Sequence, residues 1–149
     1  MRKILILFPI IFSTKLYAEG TCLENSITQH DMNQCAGLDL KSASAELQRV
    51  LAEIRKHYKH EPEFLEKLDK SQKVWSSLVD SNLEMLYPLK NKQKNYGTVF
   101  PMCSAFDRTG FIIQRVAFLK KWLVGHGDGE VCGGSVYHSY CLSNDCSKL

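Results

Sequence analysis

From position 43 onward apolar residues recur at a three-four spacing: Leu47, Val50, Leu51, Ile54 and Tyr58 share one side of a helical path, with Glu46, Arg49, Glu53 and Lys56 opposite. That rhythm predicts a long amphipathic helix. Its start is marked at Thr28, three residues ahead of Asp31, where a hydroxyl can meet a free backbone N–H and an acid can sit in the positive first turn. A bend is expected near Gly37. His60-Glu61-Pro62 interrupts the pattern, and Pro62 suits the first turn of a new helix, where its missing N–H costs nothing. Phe64, Leu65, Leu68, Trp75, Leu78 and Val79 carry that second helix to about Leu86, just before Pro88, so the pair forms an antiparallel hairpin. Lys90 to Pro101 is polar and holds Gly97, which predicts a loop. Phe111, Ile112, Val116, Leu119 and Leu123 then describe a third helix, ended by Gly125.

The remainder is different in kind. From His126 to the end the chain has four glycines, at 127, 129, 133 and 134, three cysteines and no helical period. An irregular flap pinned by disulfides is expected, with Val136 to Cys141 available for a short extended piece. The fold class that follows is all-α: a small disulfide-stapled antiparallel bundle of about three helices (19–125) with an irregular Cys- and Gly-rich C-terminal tail (126–149) packed on the same domain.

The stapling rests on the compartment. Arg2 and Lys3, the apolar run Ile4 to Phe12 and the stretch ending Leu16-Tyr17-Ala18 form the three parts of a secretory signal, with cleavage expected after Ala18. The apolar run is too short to span a bilayer and no later segment is apolar for long enough, so no stable membrane insertion is expected. Glu19 and Thr21 fit poorly in the small-residue box a lipid anchor requires ahead of Cys22. A periplasmic or secreted protein follows. The even number of cysteines (Cys22, Cys35, Cys103, Cys132, Cys141 and Cys146) then predicts three disulfides, although six cysteines allow 15 connectivities. The precursor's net charge of +3 is a property of the signal: losing Arg2, Lys3 and Lys15 takes 19 basic residues to 16, equal to the 16 acids. A neutral mature chain gives no bulk attraction to nucleic acid or to an anionic membrane, so no nucleic-acid partner is expected, and any charged interface must be a local patch.

Cys22, then Thr28-Gln29-His30-Asp31-Met32-Asn33-Gln34-Cys35-Ala36, then Ala45-Glu46-Leu47, then Gln72-Lys73-Val74-Trp75, together resemble the LprI-type lysozyme-inhibitor family of bacterial envelope proteins. Asp80 falls on that family's Arg-Asp pair, Tyr96-Gly97-Thr98 is similar to its Gly-Ser turn, and Cys103 with Arg115-Val116 and Leu119 is similar to its final cysteine and helix. The resemblance spans about Cys22 to Leu123 and implies an α-helical, non-enzymatic envelope protein, with lysozyme binding reported for the family's namesake. The chain departs from the pattern at Val79, where the family usually has Arg, and at Leu83, where it usually has its third cysteine. Cys103 then lacks its usual nearby partner, and a tail cysteine is the expected replacement. Thr28, Met32, Asn33, Ala36, Gln72, Trp75, Asp80 and Gly97 are read as fold determinants: Met32 and Trp75 as packing between helices, Asn33 as a partner for the backbone of a neighbouring loop, Asp80 as a cap or ion pair.

Signals for chemistry are weak. A catalytic thiol would need a free cysteine beside one of the five histidines, and oxidation of all six cysteines removes the nucleophile. Cys132, His138, Cys141 and Cys146 are a minority zinc reading without Cys-x-x-Cys spacing, and His57 with His60 lacks further ligands. Glu61, Glu63, Glu66, Asp69 and Asp80 show no glycosidase spacing, and Lys67, Lys70 and Lys73 are balanced by their acidic neighbours. No catalytic residue, metal or cofactor is expected.

The leading functional reading is an exported binding protein resembling a lysozyme (muramidase) inhibitor, which occludes its target with a loop such as Asn91 to Pro101 or with the tail. The alternative is an envelope structural or adaptor protein, including an immunity-type partner of another exported protein. Lysozymes are commonly cationic, so an acidic surface patch would favour the first, and an apolar patch beside the tail the second.

Overall fold

Seven helices, three of them long, account for most of residues 21–144, which are the residues the computed structural model describes: α1 (Thr21–Glu24), α2 (Gln29–His57), α3 (Pro62–Leu86), α4 (Lys92–Tyr96), α5 (Phe100–Leu119), α6 (Lys121–Val124) and α7 (Ser139–Ser143). The expected signal segment, its cleavage point and Cys146 lie outside the described residues.

α2 begins as its sequence dictates. Thr28 Oγ1 accepts the Asp31 N–H at 3.2 Å while Asp31 Oδ2 accepts the Thr28 N–H at 3.0 Å, a reciprocal capping box that satisfies two otherwise free donors. The helix then runs without a break through Gly37. α1 is tied to it by the Cys22–Cys35 disulfide and by Ser26 Oγ, which donates to the Cys22 carbonyl at 2.9 Å. Short turns at Tyr58–Glu61 and at Lys120 separate α2 from α3 and α5 from α6.

The core forms mainly where α2 lies against α5. Leu47, Val50, Leu51 and Ile54 meet Ile112, Val116 and Leu119, with Leu68 of α3 and the ring of Tyr58 closing the cluster. Burial of each such aliphatic side chain contributes roughly 1.5–3 kcal/mol. The motif residues serve this frame. Ala36 is fully buried. Asn33 Nδ2 donates to the Thr98 carbonyl at 3.0 Å, the loop contact expected of it, and Gln29 Nε2 fixes the Asn33 side chain at 3.0 Å. Gln72 Oε1 accepts Arg115 Nε at 3.1 Å, Ser71 Oγ accepts its Nη2 at 2.9 Å, and the guanidinium lies between the rings of Trp75 and Phe118. Asp80 pairs with Arg108 at 2.8 Å across α3 and α5.

Several expectations are corrected. The presumed loop from Lys90 to Pro101 contains α4, whose first turn is capped by Asn91 Oδ1 accepting the Lys94 N–H, and α5 has already begun at Phe100. Gly97 ends α4 at φ +72°, a left-handed conformation in which a side chain would be strained. Val136 to Cys141 is not extended as a piece: His126 and His138 share one isolated bridge, and α7 starts at Ser139. Leu78, read as core, is exposed, because α3 offers only one face to the bundle. The three-bridge expectation also changes. Cys22 joins Cys35 and Cys141 is disulfide-bonded, but Cys103 and Cys132 carry free thiols. Leu83, in the place of the family's third cysteine, is buried as an ordinary apolar side chain, and no tail cysteine substitutes for it at Cys103.

Candidate binding surface

Two surfaces stand out from the bundle, at opposite ends of α5. The first is the flap beyond Gly125. Gly125 takes φ +77°, which turns the chain back so that the His126 N–H meets the Tyr137 carbonyl at 3.0 Å and the Ser139 N–H meets the His126 carbonyl at 2.9 Å. Only glycine fits this root: a Cβ at position 125 would stand 2.8 Å from the Ser139 nitrogen and the Tyr137 oxygen. Tyr137 fastens the root to the core. Its ring stacks on Tyr58 at 4.2 Å, its N–H donates to Tyr58 Oη at 2.9 Å, and its own hydroxyl donates to Glu61 at 2.9 Å. Burial, reinforced by Glu61, pushes the Tyr137 hydroxyl up to about 12, so it remains a donor across the physiological range. Trp122 Nε1 donates to Ser135 Oγ at 3.1 Å, and Tyr58, Phe64, Trp122 and Phe118 continue the aromatic contacts along the bundle.

From this root the tip, residues 127–132, is exposed throughout. It presents Asp128 and Glu130 with Val131, whose side chain is 94% exposed. Glu130 Oε1 accepts the Cys132 N–H at 3.1 Å, which shapes the tip from within. His138 holds it from behind: Nε2 faces Asp128 at 3.0 Å, while Nδ1 accepts the Tyr140 N–H and caps α7. No lysine or arginine occurs from Trp122 to Asn144, so the flap carries acids without a lysine or arginine among them.

The second surface is the corner between α3 and α5. Tyr87, Tyr96 and Phe100 meet edge-on or stacked at 5.1–5.8 Å. Tyr87 Oη donates to Asp107, an acceptor that raises the phenol to about 12, and Lys92 turns inward to the Tyr87 carbonyl. Lys90 and Lys94 stay outward, among the exposed Met85, Leu86 and Leu89. This surface is basic and apolar.

The other sequence candidates do not converge. Among the described residues no three of His, Cys, Asp and Glu come together as a metal site. His57 and His60 line an open cleft of about 790 Å³ with Lys56, Lys59 and Glu61 at the end of α2, the ordinary place for cations at a helix C-terminus. Of the two places proposed for a binding element, Asn91 to Pro101 is a short capped helix bearing lysines, and the tail is the acidic one. Asp128, Glu130, Tyr58 and Tyr137 were not singled out as site residues, yet the absence of any cation over 23 residues was readable in the sequence.

Comparison with protein families gives a match to the model described as lysozyme inhibitor LprI over residues 22–119, which takes in α1 to α5 and stops short of the flap. Comparison with curated proteins and with solved structures gives no match.

Proposed function

The chain belongs to the lysozyme inhibitor LprI family, and we propose that it is an exported protein of the periplasm or the extracellular space that binds a cationic muramidase and occludes it with the flap tip. The observation that carries this reading is the acidic, fully exposed tip at 127–132 on a root fixed by the Tyr58–Tyr137 stack. Opposite charge steers encounter with a basic enzyme and penalises wrong partners, and a tip already held in place loses little ordering entropy on binding. The family matched is described as one of lysozyme inhibitors, which supports a binding role. The motif residues Thr28, Asn33, Gln72, Trp75 and Asp80 are scaffold in this reading and the contact surface lies elsewhere.

The test is inhibition of cell-wall lysis by several muramidases, with direct binding recorded in parallel. Saturable inhibition is expected, and Asp128→Lys with Glu130→Lys should weaken it roughly tenfold or more at low salt while leaving the melting temperature in place. Full inhibition by the reversed tip would remove the flap from the interface, and no binding to any muramidase would remove the inhibitor reading. The exposed Val124, Val131 and Tyr140 beside the tail favour the second reading, an adaptor or immunity-type partner of another exported protein, for which those apolar side chains would be the contact.

A further inference from the structure

The corner between α3 and α5 is a contact surface the inhibitor reading does not use. From Met85 to Phe106 the chain carries three lysines and no acid. Lys92 is drawn inward, so the outward cations are Lys90 and Lys94. In the same stretch Met85, Leu86 and Leu89 are exposed by 71%, 49% and 52%, and Leu78, exposed by 55%, lies about two turns earlier on α3. On α3, positions 78 and 85 fall within about 20° of each other at 100° per residue, so the apolar row runs down one side of the helix into the corner. The nearest acids are accounted for on every packed element: Asp107 of α5 accepts the Tyr87 hydroxyl, Asp80 of α3 is paired with Arg108, and Glu84 lies on the flank of α3 away from the row.

We propose that this corner docks on the surface of a bilayer containing anionic phospholipid, with Met85, Leu86 and Leu89 entering among the headgroups and Lys90 and Lys94 meeting the phosphates. The proposal does not rest on the inhibitor reading, since it uses the opposite end of α5. Charge complementarity selects the occupant. A second copy is disfavoured because a two-fold contact through this corner would bring both copies' Lys90 and Lys94 into one interface with no unpaired acid between them. Protruding apolar side chains flanked by lysines, with half-buried tyrosines behind them, match the requirements of an interfacial anchor. The aromatic packing of Tyr87, Tyr96 and Phe100 holds the corner in shape, so little ordering is lost on contact. The attachment is peripheral, as no described helix is long and apolar enough to cross a membrane.

Co-sedimentation of the signal-free protein with vesicles of phosphatidylcholine and phosphatidylglycerol in equal parts, against phosphatidylcholine alone, tests the proposal. Binding to the anionic vesicles only, reversed by salt, is expected. Lys90→Glu with Lys94→Glu should lower the partition at least about tenfold, and Met85→Ser with Leu89→Ser should also lower it, with circular dichroism and melting unchanged in both. Equal binding to neutral vesicles, or none to either, overturns the proposal. Binding that ignores the serine variants also overturns it in favour of a bare polyanion site, as does a dimer in sedimentation that those variants dissociate.

Discussion

Glu46 lies where α2 meets the far end of α5, and its carboxylate is shared. Oε2 accepts Arg49 Nε at 2.7 Å and Oε1 accepts Lys120 Nζ at 3.0 Å. The Arg49 hydrogen bond, aided by Lys120 and opposed by partial burial, holds the carboxyl at about 2 in place of the ordinary 4.5. A carboxyl depressed on folding stabilises the native state above its unfolded pKa, and that contribution is lost as pH falls from about 4.5 toward 2. Both cations are substantially exposed, so solvent screening reduces the effect to about 1 kcal/mol. Glu46→Gln should therefore lower stability by about that amount at pH 7 and converge with the parent near pH 2, as read by chemical denaturation across the range. An equal difference at both pH values would contradict the assignment. Residue identity here was only half legible. Periodicity put Glu46 on the outer side of α2, but the lysine that reaches it comes from the end of another helix, which no local pattern announces. Thr28 and Asp31 were fully legible because both partners of that contact lie within one turn.

Among the elements, the three long helices were written in the spacing of their apolar residues, whereas α4, α6 and α7 were not. A helix of four or five residues is shorter than the window a periodicity needs, and its existence depends on caps: Asn91 for α4, His138 for α7. The flap as an irregular unit was legible from its glycines, but its anchorage was not, because Tyr58 and Tyr137 are 79 residues apart. Replacing Gly125 by alanine should release this unit alone. A Cβ there collides with backbone at 2.8 Å and must also adopt φ +77°, a cost of order 1–3 kcal/mol. Hydrogen exchange would then show the His126 and Ser139 amides losing protection while the amides of Val50, Leu51 and Ile54 keep theirs. Undisturbed protection at His126 would show that the root tolerates the change.

At the scale of the whole molecule, one helix of the core joins two ends of opposite character. α5 has 20 residues, so about 30 Å separates the basic corner at its start from the flap's root beyond its end. The Cys22–Cys35 disulfide, over a sequence separation of 13, ties α1 to the start of α2, where Asn33 reaches Thr98 at the corner end of α5. Cys22→Ser with Cys35→Ser should cost roughly 2–3 kcal/mol and leave the helical content intact, and reducing agent, which also opens the bridge at Cys141, should cost the parent chain at least as much. A larger collapse of helicity would mean that the bridge organises the bundle itself. A small net charge of +3 concealed the division between the two ends. Composition averages over the chain, while the lysines of 90–94 and the acids of 128–130 are segregated by the fold.

The root of the flap is narrow: one glycine, one pair of backbone bonds and one tyrosine on tyrosine. Because residues 127–132 lie outside the hydrophobic core, the side chains there other than Gly129 carry little weight in whether the bundle folds, although Asp128 and Glu130 shape the tip itself. That tip can accumulate substitutions at little penalty to stability, in the way an exchangeable bit is changed without rebuilding the tool that holds it. Libraries confined to positions 127, 128 and 130–132, with Gly129 at φ +80° and Gly125, Tyr58 and Tyr137 left untouched, would sample new targets on an unaltered scaffold.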